Sequence, residues 1–147
     1  MTTAPEINKF DSTLLINALT ADSFQASGLR SFLSYRDLGV AESTKGRVGA
    51  VISRSTDPED VSVTTGWHYH ICDLQLIYII RGWVDIEFED TGVLRLGAGT
   101  CINIPPGLLH NEIAIAPDNE ILEVTIPPKI QTVTVTEAPH KAADPAT

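Results

Sequence analysis

Histidine is scarce in this chain, four residues in 147, and two of the four stand as His68-Tyr69-His70. On a β-strand, residues two apart point to the same face, so both imidazoles can reach one metal ion at the ~2.1 Å of a metal–nitrogen bond. The chemistry on offer is therefore binding of a divalent transition ion by neutral imidazole. Taken alone, such a pair is more often core or surface decoration than a ligand pair, so its surroundings decide its meaning.

Those surroundings read as strands. From Phe32 onward the chain breaks into short runs rich in β-branched and aromatic residues, divided by turn signals, as antiparallel all-β proteins do. The expected strands are Ser31 to Tyr35, Arg47 to Arg54, Trp67 to Ile71, Gln75 to Arg81 and Trp83 to Glu89, followed by Val93 to Leu96, Cys101 to Ile104, His110 to Ile115, Ile121 to Ile126 and Gln131 to Thr136. Val84, Ile86 and Phe88 share one parity and Asp85, Glu87 and Glu89 the other, which predicts one buried and one wet face. Leu76 to Ile80 is apolar on both parities, which predicts cover on both faces by a second sheet or a subunit partner. No strand alternates with a long amphipathic helix, which disfavours a parallel α/β sheet. Ahead of the strands, Asp11-Ser12-Thr13 could cap a short helix through Leu14-Leu15-Ile16, and an N-terminal strand fits those residues as well. The expected organisation is an N-terminal arm over 1–30, one β-barrel domain over 31–136 and a flexible, polar tail over 137–147.

The spacing around the histidines carries more. After His68-x-His70 come four residues, Gln75, six residues and Gly82; later come Gly99, five residues, Pro105-Pro106-Gly107, two residues and His110. This resembles the two signature motifs of the cupin superfamily over residues 66 to 114, in particular small single-domain bacterial cupins. The resemblance implies an all-β jelly-roll barrel of two antiparallel sheets, with one metal ion inside. Its ligands would be His68, His70 and His110, with Gln75 where the motif has Glu. The motif's opening Gly falls at Ser62 and its closing Asn at Ala114; neither position touches the metal. Gln75 does matter: it is neutral and binds through a carbonyl oxygen more weakly than a carboxylate, so a bound ion would keep its full double charge. Pro105-Pro106-Gly107 supplies a stiff turn just before His110, and Gly82 permits a tight corner between two runs that are otherwise continuous.

Such a centre suits an anionic chelating ligand such as an enolate or β-diketonate. Among relatives in the superfamily, three-histidine sites resemble those of dioxygenases, and zinc-bearing versions those of polyketide cyclases and isomerases. The expected function is a metal-dependent dioxygenase acting on a small enolisable or phenolic substrate. The alternatives are a zinc-dependent cyclase or isomerase and a non-catalytic module that binds a small ligand. Imidazole suits several ions, so Fe(II) and Zn(II) lead, with Ni, Mn and Cu open. Glu112 shares the parity of His110 and is the candidate general base or partner of a ligand imidazole, a solvated carboxylate being the plain alternative. Cys72 could line the pocket or serve as a small buried side chain. Trp67 and Tyr69 have the opposite parity and should pack outside the barrel. Tyr78 and Trp83 read as core or interface aromatics, and Arg81 as a rim residue or a partner for substrate inside the barrel.

Composition sets the limits. A mass of 15.9 kDa allows one domain with a proper core. A net charge of -9 with scattered Lys and Arg argues against nucleic acid and membrane surfaces as partners. Cys72 and Cys101 make no disulfide framework, and no segment reads as a leader or a membrane span, so a cytoplasmic protein is expected. The apolar run and the outward aromatics lead us to expect a homodimer.

Overall fold

The computed structural model describes residues 6–26, 30–56 and 64–139. Ser62 and most of the expected C-terminal tail lie outside these. The strands are β1 (Leu33–Asp37), β2 (Gly49–Ser55), β3 (His68–Ile71), β4 (Leu74–Arg81), β5 (Trp83–Phe88), β6 (Gly92–Gly97), β7 (Cys101–Asn103), β8 (His110–Ile115), β9 (Glu120–Ile126) and β10 (Gln131–Thr134). A single helical turn, α1 (Val40–Ser43), interrupts them. They form two antiparallel five-stranded sheets in the orders β1-β2-β9-β4-β7 and β10-β3-β8-β5-β6. The chain is an all-β jelly roll in which each sheet buries its inner face against the other.

Parity decides what lies between the sheets. Val84, Ile86 and Phe88 of β5 are buried as their alternation predicts, and they meet Ile77 and Ile79 of β4, with Ile104 and Ile115 completing the core. Ile79 and Ile86 are at most 1% exposed, so truncating either to Ala would cost ~2–5 kcal/mol. On the other parity of β4, Tyr78 and Ile80 are 42% and 41% exposed, so within one chain the second sheet covers a single face of this strand.

Two turns bring distant segments together. Gly82 (φ +72°) carries the chain from β4 in one sheet to β5 in the other, and a Cβ there would lie 2.9 Å from both Ala116 Cβ and Asp118 Oδ1. Only glycine supplies both that backbone conformation and that closeness. In the Pro-Pro-Gly turn, Gly107 takes φ +83° and donates its N–H to the carbonyl of His70 at 3.0 Å. The turn that precedes His110 is thereby tied to the strand that carries the other two histidines.

Residues 6–26 form neither the short helix nor the regular strand considered from sequence. Their polar groups are satisfied instead by the barrel and by local turns. Thr13 N–H donates to Ser43 O at 2.8 Å, Arg36 Nη2 donates to Asn17 O at 3.0 Å, and an isolated bridge pairs Gln25 with Tyr35. Asp11 does not start a helix: Asn8 turns the chain, its Oδ1 accepting from Ser12 N–H at 3.0 Å. Among the described residues no helix is long and apolar enough to cross a membrane.

Candidate metal centre

His68 and His70 point inward from β3, and His110 is the direct cross-strand partner of His68 on β8. Register alone therefore stacks three imidazoles on one inner face. Ring centroids are 4.3 Å apart for His68 and His110, 4.9 Å for His68 and His70, and 5.2 Å for His70 and His110. All three residues are buried, and one ring nitrogen from each lies within 4.8 Å of the others.

Hydrogen bonding fixes which nitrogens converge. His68 Nδ1 lies 2.8 Å from Gly66 O and His110 Nδ1 lies 2.9 Å from Leu108 O. A carbonyl only accepts, so both Nδ1 atoms carry the proton and both Nε2 atoms present lone pairs. His70 Nδ1 is held at 3.1 Å by Thr132 Oγ1 of the neighbouring strand. His110 Nε2 is buried without a hydrogen-bond partner among the described residues. Burial lowers the His70 pKa from 6.5 to about 4, helped by the neighbouring His68 and His110, and burial lowers that of His110 as well. Both shifts favour the neutral ring, the form that binds metal.

Gln75 enters the same cavity from the opposite sheet, on β4. Its Nε2 donates to Glu123 Oε2 at 3.1 Å, and its Oε1 is buried with no partner. Among the described residues, His110 Nε2 and Gln75 Oε1 are thus two buried acceptors without a partner, each of which costs ~1–3 kcal/mol and is relieved by a cation within reach. The donor set, imidazole nitrogens with one amide oxygen, suits a divalent transition ion. The three histidines could hold a metal ion, and Gln75 lines the same cavity.

Glu112 lines the cavity as expected from its parity with His110, and no described residue bonds its carboxylate. Beyond it the strand changes phase. The pairing of β5 with β8 slips between Asp85 and Ile86, so Ile113 is an extra residue and Ile115 rather than Ala114 faces inward. Cys72 lies half-buried in the turn between β3 and β4, away from the cavity lining, and its thiol is unpaired, as is that of Cys101. Arg81 is exposed at the end of β4 and takes the rim alternative. Trp83 is half-buried, with the Arg95 guanidinium stacked 3.7 Å from its ring centroid. Trp67 and Tyr69 are half-buried and absent from the cavity lining.

Polar residues that the sequence reading passed over also line the cavity, Arg30, Tyr35 and Glu123 among them. Glu123 matters most. It projects inward from β9, opposite Ile77 and diagonal to Gln75, and burial raises its pKa while the bond from Gln75 lowers it. An acidic side chain in contact with Gln75 means that the surroundings of the expected fourth ligand are not wholly neutral, in contrast to the expectation from sequence. A lone Glu in the apolar run Ile121 to Ile126, in phase with the inward Thr125, was the signal that could have found it.

No protein-family model matches the chain, and no curated protein matches it by sequence. Solved structures do. The chain is similar to the polyketide cyclase RemF from Streptomyces resistomycificus, with 19% identity, a TM-score of 0.65, and 86% of this chain and 90% of that one covered. It is similar to a variant of the salicylate 1,2-dioxygenase from Pseudoaminobacter salicylatoxidans in complex with gentisate, with 8% identity, a TM-score of 0.58, and coverage of 77% and 32%. A variant of oxalate decarboxylase from Bacillus subtilis matches at 19% identity and a TM-score of 0.56, with coverage of 74% and 30%. These likenesses are of fold: the chain has the cupin fold, a double-stranded β-helix.

Proposed function

We propose that this chain is a metal-dependent enzyme that takes up a small enolisable or phenolic molecule as its anion and moves protons at it, in the manner of a cyclase or isomerase. The observation that carries this reading is the convergence of three buried imidazoles, His68, His70 and His110, with His110 Nε2 and Gln75 Oε1 left without a partner among the described residues. A divalent ion held by His68, His70, His110 and Gln75 would supply Lewis acidity, which lowers the cost of an enolate or phenolate.

The remaining work falls to the chain. Its cavity of about 220 Å³ is half as large again as the ~150 Å³ that encloses benzene, so it fits a monocyclic molecule with a few substituents. Ile77, Val84, Ile86, Ile115 and Ile121 line it with hydrocarbon, which excludes water and strengthens every charge interaction inside. Arg30, whose guanidinium has no partner among the described residues, offers a cation to an acidic substituent. Glu112, whose carboxylate has no hydrogen-bond partner among the described residues and which lies two residues from His110, is placed to accept the proton that the substrate loses and to return it.

Oxygen-dependent cleavage, the reaction expected first from sequence, is the second reading. The imidazole-rich donor set favours it because such ligands serve redox-active iron as well as zinc, and a dioxygenase is among the similar structures. Proton exchange separates the two. Incubating zinc-loaded protein with monocyclic β-diketones and phenols in D2O should accelerate exchange of the enolisable or ring protons, and Glu112→Gln should abolish the acceleration. Oxygen uptake by iron-loaded protein with no such exchange would overturn the first reading in favour of the second.

The working unit in this reading is a homodimer. Its support is apolar surface without charge on a chain of net charge -9. On the outer face of the first sheet, Tyr78 and Ile80 are 42% and 41% exposed; in the arm, Leu14 and Ile16 are 89% and 84% exposed while Leu15 packs toward Gly39. On a chain of net negative charge, uncharged apolar surface is where a second copy can approach with least repulsion, so a like partner fits it. The two free thiols suit a reducing compartment such as the cytoplasm.

A further inference from the structure

We propose that Glu123 is the positioning residue that turns Gln75 into a metal ligand, and that the pair works as one unit whose carboxylate and amide can be exchanged. The inference rests on the metal-binding reading above. A glutamine side chain has a donor end and an acceptor end, and nothing intrinsic decides which of them faces a metal. Here the choice is made from outside. Gln75 Nε2 donates to Glu123 Oε2 at 3.1 Å, which sends Oε1, buried and without a partner, the other way. The Glu123 carboxylate is not part of the cluster of converging ligand atoms, which consists of His68, His70 and His110. It acts through Gln75 rather than on the ion.

Register makes the contact obligatory. Gln75 pairs with Thr125 and Ile77 with Glu123, so Gln75 and Glu123 are diagonal neighbours on the inner face of β4 and β9. Diagonal positions lie within reach of long side chains. Ile77 and Ile121 line the same cavity with hydrocarbon, and the bond to Glu123 is the one hydrogen bond that the Gln75 side chain makes among the described residues. Hydrogen bonding to a carboxylate also polarises the amide and puts more negative charge on its oxygen, so a neutral ligand gains part of the donor strength of an anionic one.

Exchange of the two groups is the test. In Q75E the two carboxylates face each other and repel. In E123Q the amide at position 75 loses the acceptor that fixed its orientation. In the double variant Q75E/E123Q the new carboxylate can bind the ion directly while the new amide donates to its other oxygen, restoring the pair in reverse with the same net charge. Zinc affinity, measured by competition with a chromophoric chelator at pH 7, should fall about 10- to 100-fold in E123Q. It should return to the parental value or better in Q75E/E123Q. Thermal melting of the four metal-free proteins reports on folding separately, and a role confined to packing would not produce rescue by exchange. Zinc bound by E123Q as tightly as by the parent, or a double variant no tighter than E123Q, would overturn the inference while leaving the metal centre intact. A parent chain that binds no zinc would overturn the metal centre itself.

Discussion

Replacing His110 by Leu separates the cost of the site from its use. His110 is fully buried, donates from Nδ1 to Leu108 O, and leaves Nε2 with no partner. In the metal-free protein the orphaned nitrogen costs ~1–3 kcal/mol, whereas the lost hydrogen bond is worth ~0.5–1.5 kcal/mol. Leu is of similar bulk, so little cavity forms. H110L without metal should therefore be within about 1.5 kcal/mol of the parent or more stable, where truncating a well-packed buried ring would cost ~3–5 kcal/mol. Zinc at a hundred times its dissociation constant should stabilise the parent by ~2.7 kcal/mol, which at this chain length raises the melting temperature by roughly 5–10 °C. That rise should vanish in H110L. Thermal melts with and without zinc read both effects. Loss of more than ~3 kcal/mol in metal-free H110L, or an undiminished zinc-dependent rise, would refute the reasoning.

Acid should destabilise the metal-free protein in a defined window. The His70 pKa falls from 6.5 to about 4 on folding, so the unfolded chain takes up the proton first. Stability is then full above pH 6.5, declines as pH falls toward 4 and levels off below, by ~1–3 kcal/mol in urea titrations across that range; a flat profile would contradict the buried, neutral ring. Gly82→Ala should lower stability by ~1–3 kcal/mol, because its Cβ lands 2.9 Å from Ala116 Cβ at a φ of +72°, and a melting temperature unchanged within error would count against the corner. Light scattering should return twice the 15.9 kDa chain mass, with Tyr78→Glu shifting it to one chain; a parent of single-chain mass removes the dimer.

The sequence made legible whatever depends on parity and spacing. Val84, Ile86 and Phe88 fall into the core because alternation along a strand is local, and His68 and His70 share a face for the same reason. The two glycine-bearing turns could be read from their residue types. Features that depend on which strands lie side by side could not. Glu123 meets Gln75 only through the register of β4 with β9, and the bulge at Ile113 only through the register of β5 with β8. The arm was ambiguous for a related reason: its backbone bonds go partly to Ser43 and Tyr35 of the barrel and partly to isolated local turns, so it has no period to detect.

Metal stoichiometry tests the central claim most directly. The purified chain, stripped and then dialysed against zinc or anaerobic Fe(II), should hold about one equivalent per chain by elemental analysis, and the His68→Ala/His70→Ala variant should hold less than about a tenth of that. Parent and variant retaining the same amount, or a parent that retains none, would contradict it.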